Sequence, residues 1–349
     1  MADAPSGKPP RRPRYRGSNP RAFDQKYKEL NAARYPGEVV KVLASGKTPA
    51  GMHRAIMVRE ILEVLAPARG EFAVDATLGY GGHTAALLER LLPGGRVLAL
   101  DVDPIELPKT EARMRAAGIG TDSLIVRRSN FAGLARVLAA EQLPAADVVL
   151  ADLGLSSMQL DDPARGFTFK REGPLDLRMN PLRGQPASKL LASLDLQRLA
   201  GLLESNADLE DAPSMAAAIL DRQARTPITT TTALAAAITD AATVRNQAPE
   251  TIDSTVRRVF QALRVAVNDE YGALDAFLRE LPGCLAPRGR VAILTFHSGE
   301  DRRVKQAFKE GVRSGAFARI ADELMRPTAD ERRANPRSSA AKLRWAIRT

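Results

Sequence analysis

Between residues 72 and 103 the chain writes out a strand, a glycine turn, a helix and a second strand, and this unit constrains the fold more than any other segment. Phe72, Ala73 and Val74 read as a short buried strand, and Gly79, Gly81 and Gly82 as the turn after it. From Thr84 to Leu92 apolar residues fall at helical spacing. Arg96 to Leu100 forms the next strand and ends on Asp101, 20 residues beyond Gly81. Such a βαβ unit brings a ligand to the glycine backbone and a carboxylate to a ribose. It predicts an α/β fold with a nucleoside-cofactor site.

The glycine pattern narrows the cofactor. Gly79-Tyr-Gly-Gly-His83 lacks the third spaced glycine of a dinucleotide fingerprint. Asp75, at the end of the first strand, suits a cofactor bearing an ammonium better than one bearing a pyrophosphate. Both features point to S-adenosylmethionine. A nicotinamide-dependent oxidoreductase would need a second glycine fingerprint or a recognisable substrate domain, and neither is visible.

Further strands are expected near Leu124–Arg127 and Val148–Ala151, and Arg290–His297 reads as the last clear strand. Between the fourth and the last the pattern is helical: Ala187–Leu203, Ala212–Arg225, Thr232–Ala242 and a long helix from Ile252 to Leu281, with Pro287-Arg-Gly289 turning into the strand. The economical arrangement is a Rossmann-like methyltransferase sheet over 51–159 and 259–349, interrupted by an all-helical, substrate-recognising domain over 160–258. Residues 1–50 mix Pro, Gly and Arg and read as a largely disordered basic extension, with a short helix possible near Gln25–Ala33.

Charge is unevenly spread over the 349 residues. Residues 1–50 carry net +7 and residues 288–349 net +8, although the whole chain carries only +10. Basic ends on an acidic middle fit a polyanionic partner held at its phosphates. No apolar run approaches the roughly 20 residues that span a bilayer, and one cysteine, Cys284, excludes an internal disulfide and a cysteine-rich zinc site. The expectation is a cytoplasmic protein without a membrane partner.

Asp75, Asp101 and Asp152 all stand at strand ends, where open α/β sheets bind ligands. The three histidines, His53, His83 and His297, fall in the lead-in segment, the glycine turn and the end of the last strand. Their separation gives no metal-ligand spacing, so no metal is assigned. Ser298-Gly-Glu-Asp301 resembles a capping box that would hold His297.

Five motifs in order, Asp75–His83, Asp152–Asp162, Arg165–Phe169, Gly173–Met179 and Phe296–Arg302, resemble the RsmH (MraW) family over about His53 to Arg348. The resemblance implies a class I S-adenosylmethionine-dependent methyltransferase. Its expected reaction is methylation of the exocyclic N4 of a cytosine in 16S ribosomal RNA, on the small ribosomal subunit. It further implies cofactor contacts at Gly81, Gly82, His83, Asp101 and Phe131, with Asp152 and Gln159 closing the site. The chain departs from the family pattern in Asn206-Ala-Asp-Leu-Glu, at Gly299 and within 335–344, so an amine methyltransferase of another RNA or of DNA, or a non-catalytic RNA-binding assembly factor, stays open. The oligomeric state, monomer or homodimer, is not legible.

The reaction type also follows from the residues. Methylation at cytosine C5 needs a thiolate, yet Cys284 sits in an apparent turn far from every motif. An exocyclic amine needs acceptors that align its nitrogen with the methyl donor. Asp152, with Ser156 and Ser157 in the following turn, is the candidate catalytic group, and His297 is a further candidate.

Overall fold

The structure is a computed structural model and describes residues 55–349. The proposed extension, the helix near Gln25–Ala33 and His53 lie outside the described residues. Seven strands form one sheet in the order β3-β2-β1-β4-β5-β7-β6. These are β1 Phe72–Asp75, β2 Arg96–Asp101, β3 Leu124–Arg128, β4 Ala146–Asp152, β5 Leu285–Thr295, β6 Phe317–Ile320 and β7 Lys342–Arg348. The first five run parallel, and β7 and β6 close the edge antiparallel.

The central strands are apolar throughout because both faces are covered. All four residues of β1 are buried. On one face, Val74, Leu98, Leu100 and Ile293 pack against Leu274, Phe277 and Phe308. On the other, Ala73, Val97, Ala99 and Leu150 meet Ile61, Leu65, Leu87 and Leu91. The sheet order reverses at β1, which has β2 on one side and β4 on the other. That reversal opens a crevice at the carboxyl ends of β1 and β4.

The helices are α1 Val58–Leu65, α2 Gly82–Leu91, α3 Glu106–Ala116, α4 Leu134–Ala140, α5 Ser157–Asp161, α6 Ala187–Ser193, α7 Leu196–Ala207, α8 Ala212–Arg225, α9 Thr231–Val244, α10 Pro249–Asn268, α11 Glu270–Cys284, α12 Ser298–Arg313 and α13 Ala329–Ala334. Residues from Phe167 to Leu263 build a separate hydrophobic core, in which Leu199, Leu203, Ile219, Ile238 and Val259 are fully buried.

Several sequence expectations need correction. The helix expected over Ala187–Leu203 breaks after Ser193, because the Asp195 carboxylate accepts from Arg198 N and starts a new helix. The long helix expected over Ile252–Leu281 is two helices, divided at Asp269, whose φ of 49° is left-handed. The first of them, Pro249–Asn268, runs across the expected domain boundary at 258/259 and places Val259, Phe260, Ala262 and Leu263 in the helical core. Pro287–Gly289 is not a turn but an irregularity within β5, where the register against β4 shifts. Cys284 is therefore the buried last residue of α11, its thiol pushed up to about 11 by burial. Strands β6 and β7 escaped the pattern because β6 spans only 4 residues and β7 mixes Lys342, Arg344 and Arg348 with its apolar residues.

Candidate active site

The glycine turn is built by hydrogen bonds to backbone N–H groups. Asp75 is fully buried behind it, one oxygen accepting from Thr77 N at 3.1 Å and the other from Thr84 Oγ1 at 2.6 Å. Burial pushes its carboxyl above the usual range. Asp75 thus fixes the turn from beneath, with both oxygens engaged by protein donors. Thr77 Oγ1 accepts from Asp152 N at 2.7 Å, tying the ends of β1 and β4 together.

Asp101 ends β2 and faces the same turn. Its Oδ2 accepts from Gly79 N at 2.8 Å, and its Oδ1 from Asp103 N at 2.9 Å. Burial pushes its carboxyl up to about 6 despite those two donors. Each oxygen keeps a further lone pair. Phe131, in a single 3-10 turn after β3, is half-buried and packs edge-on against Phe277 at 5.5 Å. Gly81 leads into α2 with a φ of 85°. Gly82 is required by packing, since a Cβ there would lie 2.9 Å from Ala55 Cβ. Its bareness therefore serves the lead-in segment.

Asp152 is the carboxylate at the β4 end of the crevice. Its Oδ1 is buried and has no hydrogen-bond partner among the described residues. Its Oδ2 lies 3.5 Å from His83 Nδ1. Burial pushes the Asp152 carboxyl up to about 6; His83 opposes the shift, and the charges of Asp75 and Glu300 add to it. His83 itself is buried, and its Nε2 stands 2.9 Å from the Ile56 carbonyl oxygen.

The following turn is more committed than its sequence suggested. Ser156 Oγ accepts from Gln159 N at 3.2 Å, while Gln159 Oε1 accepts from Ser156 N at 2.9 Å, a complete capping box. Gln159 Nε2 donates to Asp103 Oδ2 at 2.8 Å. Ser156 and Gln159 accordingly brace the turn. Ser157 is the half-buried first residue of α5. His297 caps α12, its Nδ1 accepting from Glu300 N at 3.4 Å. Burial pushes the Glu300 carboxyl up, but His297, Arg264 and the Phe296 N–H together hold it below the usual range. Glu270, His297 and Glu300 bring ligand-type atoms within 4.8 Å of one another. Both Glu270 oxygens already accept from Arg264, at 2.7 and 2.9 Å, so that cluster is already charge-paired by protein.

Sequence reasoning missed Asp103 and Arg165, which link the two halves of the site. Asp103 is buried, caps the chain at Ile105 N and Glu106 N, and pairs with Arg165 Nη1 at 2.8 Å. Arg165 Nη2 donates to Met179 O at 2.9 Å, reaching the loop that leads into the helical core. A lysine would lack this fork. The signal was present as Asp101-Val-Asp103 and as Arg165 in a quoted motif, but nothing in the sequence pairs them.

The residues fit a nucleoside cofactor with a sulfonium amino acid. Asp101 stands at a strand end beside the glycine turn, each of its oxygens taking one backbone donor and keeping acceptor capacity for a nucleoside.

Comparison with known proteins identifies the family. A relative from Lachnoclostridium phytofermentans, "Ribosomal RNA small subunit methyltransferase H 1", is 47% identical over 341 residues, covering 97% of this chain and 93% of its own. One from Alkaliphilus metalliredigens, "Ribosomal RNA small subunit methyltransferase H 2", is 47% identical over 97% of both chains. One from Sorangium cellulosum, "Ribosomal RNA small subunit methyltransferase H", is 39% identical over 85% of this chain and 90% of its own. Alignment over 97% of the chain extends into residues 1–50 in both of the first two relatives. The MraW methylase family matches residues 50–349, and the chain belongs to it.

Proposed function

We propose that this protein methylates the exocyclic N4 amine of a cytosine in 16S ribosomal RNA, using S-adenosylmethionine and direct transfer. The observation that carries the reading is the carboxylate of Asp152, fixed at the sheet reversal with one oxygen unclaimed among the described residues. Bound beside the glycine turn, the cofactor supplies an electrophilic methyl group on a sulfonium. Asp101 would hold the ribose and Phe131 would lie beside the adenine.

Asp152 acts on the base. An aryl amine nitrogen is poorly nucleophilic because its lone pair is delocalised into the ring. A carboxylate accepting one N–H orients that nitrogen and stabilises the positive charge it gains during transfer. The ionised form is needed, so turnover is lost as pH falls through about 6. The buried Cys284 thiol, at the end of α11, lies outside this arrangement.

The helical block, expected over 160–258, serves as the substrate-recognising part, supported by its own core and by the Arg165 link to the cofactor loop. The relatives' names support a ribosomal RNA substrate. Among the described residues no helix is long and apolar enough to cross a membrane. The test is incubation of small subunits or their RNA with labelled S-adenosylmethionine, followed by nucleoside mass spectrometry. The expected product is N4-methylcytidine at one position. Label at C5, or on RNA outside the small subunit alone, would overturn the reading.

A further inference from the structure

His83 belongs to the glycine turn, and the family resemblance implies a cofactor contact there. Its side chain is engaged elsewhere. Nε2 lies 2.9 Å from the Ile56 carbonyl oxygen, and a carbonyl only accepts, so Nε2 carries a proton. In the neutral ring Nδ1 is then a bare lone pair. It faces Asp152 Oδ2 at 3.5 Å, which is also an acceptor when ionised. Two lone pairs in a buried site repel unless a proton lies between them. The His83 ring is only 6% exposed and has little water to turn to, although the Asp152 side chain keeps 27% exposure.

We infer that His83 is the proton partner of Asp152: one proton held between Nδ1 and Oδ2 compensates the carboxylate and leaves Oδ1 as the acceptor for the base. The inference rests on the proposed amine transfer. As the N–CH3 bond forms and the S–CH3 bond breaks, positive charge passes from sulfur to nitrogen. The nitrogen then sheds one proton to Asp152 Oδ1, and the pair holds two protons until solvent removes one. His83 touches neither base nor methyl donor and is a positioning residue. The 3.5 Å separation is longer than a formed hydrogen bond, as is common in unliganded active sites.

The other charges facing this pair are Asp75, beneath the turn, and Glu300, from the start of α12. Both are acidic, so among the described residues His83 is the group whose charge opposes theirs at Asp152. Losing it should raise the titration midpoint of the carboxyl.

The experiment compares wild type with His83→Asn and His83→Gln, two variants so that a folding failure of one leaves the other. Carbon-13 NMR follows the Asp152 carboxyl. Calorimetry measures S-adenosylhomocysteine binding, and the turnover number is taken against pH at saturating substrates. The expected result is a midpoint raised by about one unit, with the acid limb of turnover moved equally, so that rate near pH 6 falls about fivefold. S-adenosylhomocysteine affinity should stay within about threefold. An unmoved Asp152 midpoint in a folded variant overturns the pairing. So does tenfold weaker cofactor binding with an unmoved acid limb, which would make His83 an ordinary cofactor contact. If wild type fails to methylate the RNA while the midpoint still moves, the substrate reading falls and the proton pairing stands.

Discussion

The cofactor end of the sheet and the corner where the helical block meets β5 and α12 are held together in different ways. At the cofactor end, side chains grip backbone: Asp101 takes Gly79 N and Asp103 N, Asp75 takes Thr77 N, and Thr77 takes Asp152 N. At the corner, much of the gripping is between side chains of distant segments. Asp208 accepts from Ser298 Oγ and from both terminal nitrogens of Arg302. Arg303 stacks over the Tyr271 ring at 3.7 Å, and the Tyr271 hydroxyl donates to Asn206 O. Two of the departures from the family pattern, at 206–210 and at Gly299, meet at this corner. A site that binds backbone depends on few residue identities. At the corner identity matters more, because Asp208 bonds the side chains of Ser298 and Arg302 and a Cβ at residue 299 would meet Tyr271.

The sharpest break of the comparison is at Asp152. Asp152→Ala should lower turnover by roughly a hundred- to a thousandfold, on the order of 3–4 kcal/mol, while the protein still folds. Cys284→Ser should leave turnover within about twofold, because the thiol is buried at a helix end and pushed up to about 11. A thiol that high is almost wholly protonated at neutral pH and is a poor nucleophile. Trapping RNA covalently on Cys284 would sink the direct-transfer mechanism. So would an Asp152→Ala enzyme within tenfold of wild type.

Much of this first region was legible in the sequence for a physical reason. Buried parallel strands read as apolar runs, and a strand-end Asp after such a run has few alternative places to go. What could not be read was which partner each group would find. Gln159 was expected to close the cofactor site, and the partners it also takes, Ser156 N and Asp103, have no signal in the sequence. Asp75 suited a cofactor ammonium by its residue type, yet it is sealed beneath the turn. The Asp103–Arg165 pair joins residues 62 apart, a separation at which no local pattern operates. The break at Asp269 likewise depends on a left-handed residue that helical periodicity does not reveal.

The corner makes a second test. A Cβ on Gly299 would lie 1.8 Å from the Tyr271 hydroxyl oxygen and 2.6 Å from its Cζ, so no small shift relieves it. Gly299→Ala should destabilise the protein by about 3 kcal/mol, the upper range for overpacking. In a Tyr271→Leu background the same substitution should cost at least about 1 kcal/mol less, since the two residues share one space. Equal costs in both backgrounds, measured by denaturant unfolding, would show that Tyr271 is not what keeps residue 299 small.

The smallest effect is expected at the exposed edge of the same corner. The Asp208–Arg302 pair is bidentate at 2.8 and 2.9 Å, but its side chains are 45% and 56% exposed. Exposed pairs of this kind contribute about 0.5–1 kcal/mol, screened by salt. The Arg302 hydrogen bonds, with Ser298 assisting, hold the Asp208 carboxyl below its usual range. Its stabilising contribution is therefore present above the unfolded-state value and is lost only as pH falls below it through the lower folded-state value. Asp208→Asn should lower stability by under about 1 kcal/mol at neutral pH in low salt, and by less in high salt. It should leave S-adenosylhomocysteine affinity unchanged, because no bond of Asp208 reaches the cofactor end. A loss above about 2 kcal/mol, or one indifferent to salt, would mean that the corner is a structural keystone. The contrast between the two regions would then have to be redrawn around Asp208, with the pair fixing the helical block against α12 as firmly as Asp101 fixes the glycine turn.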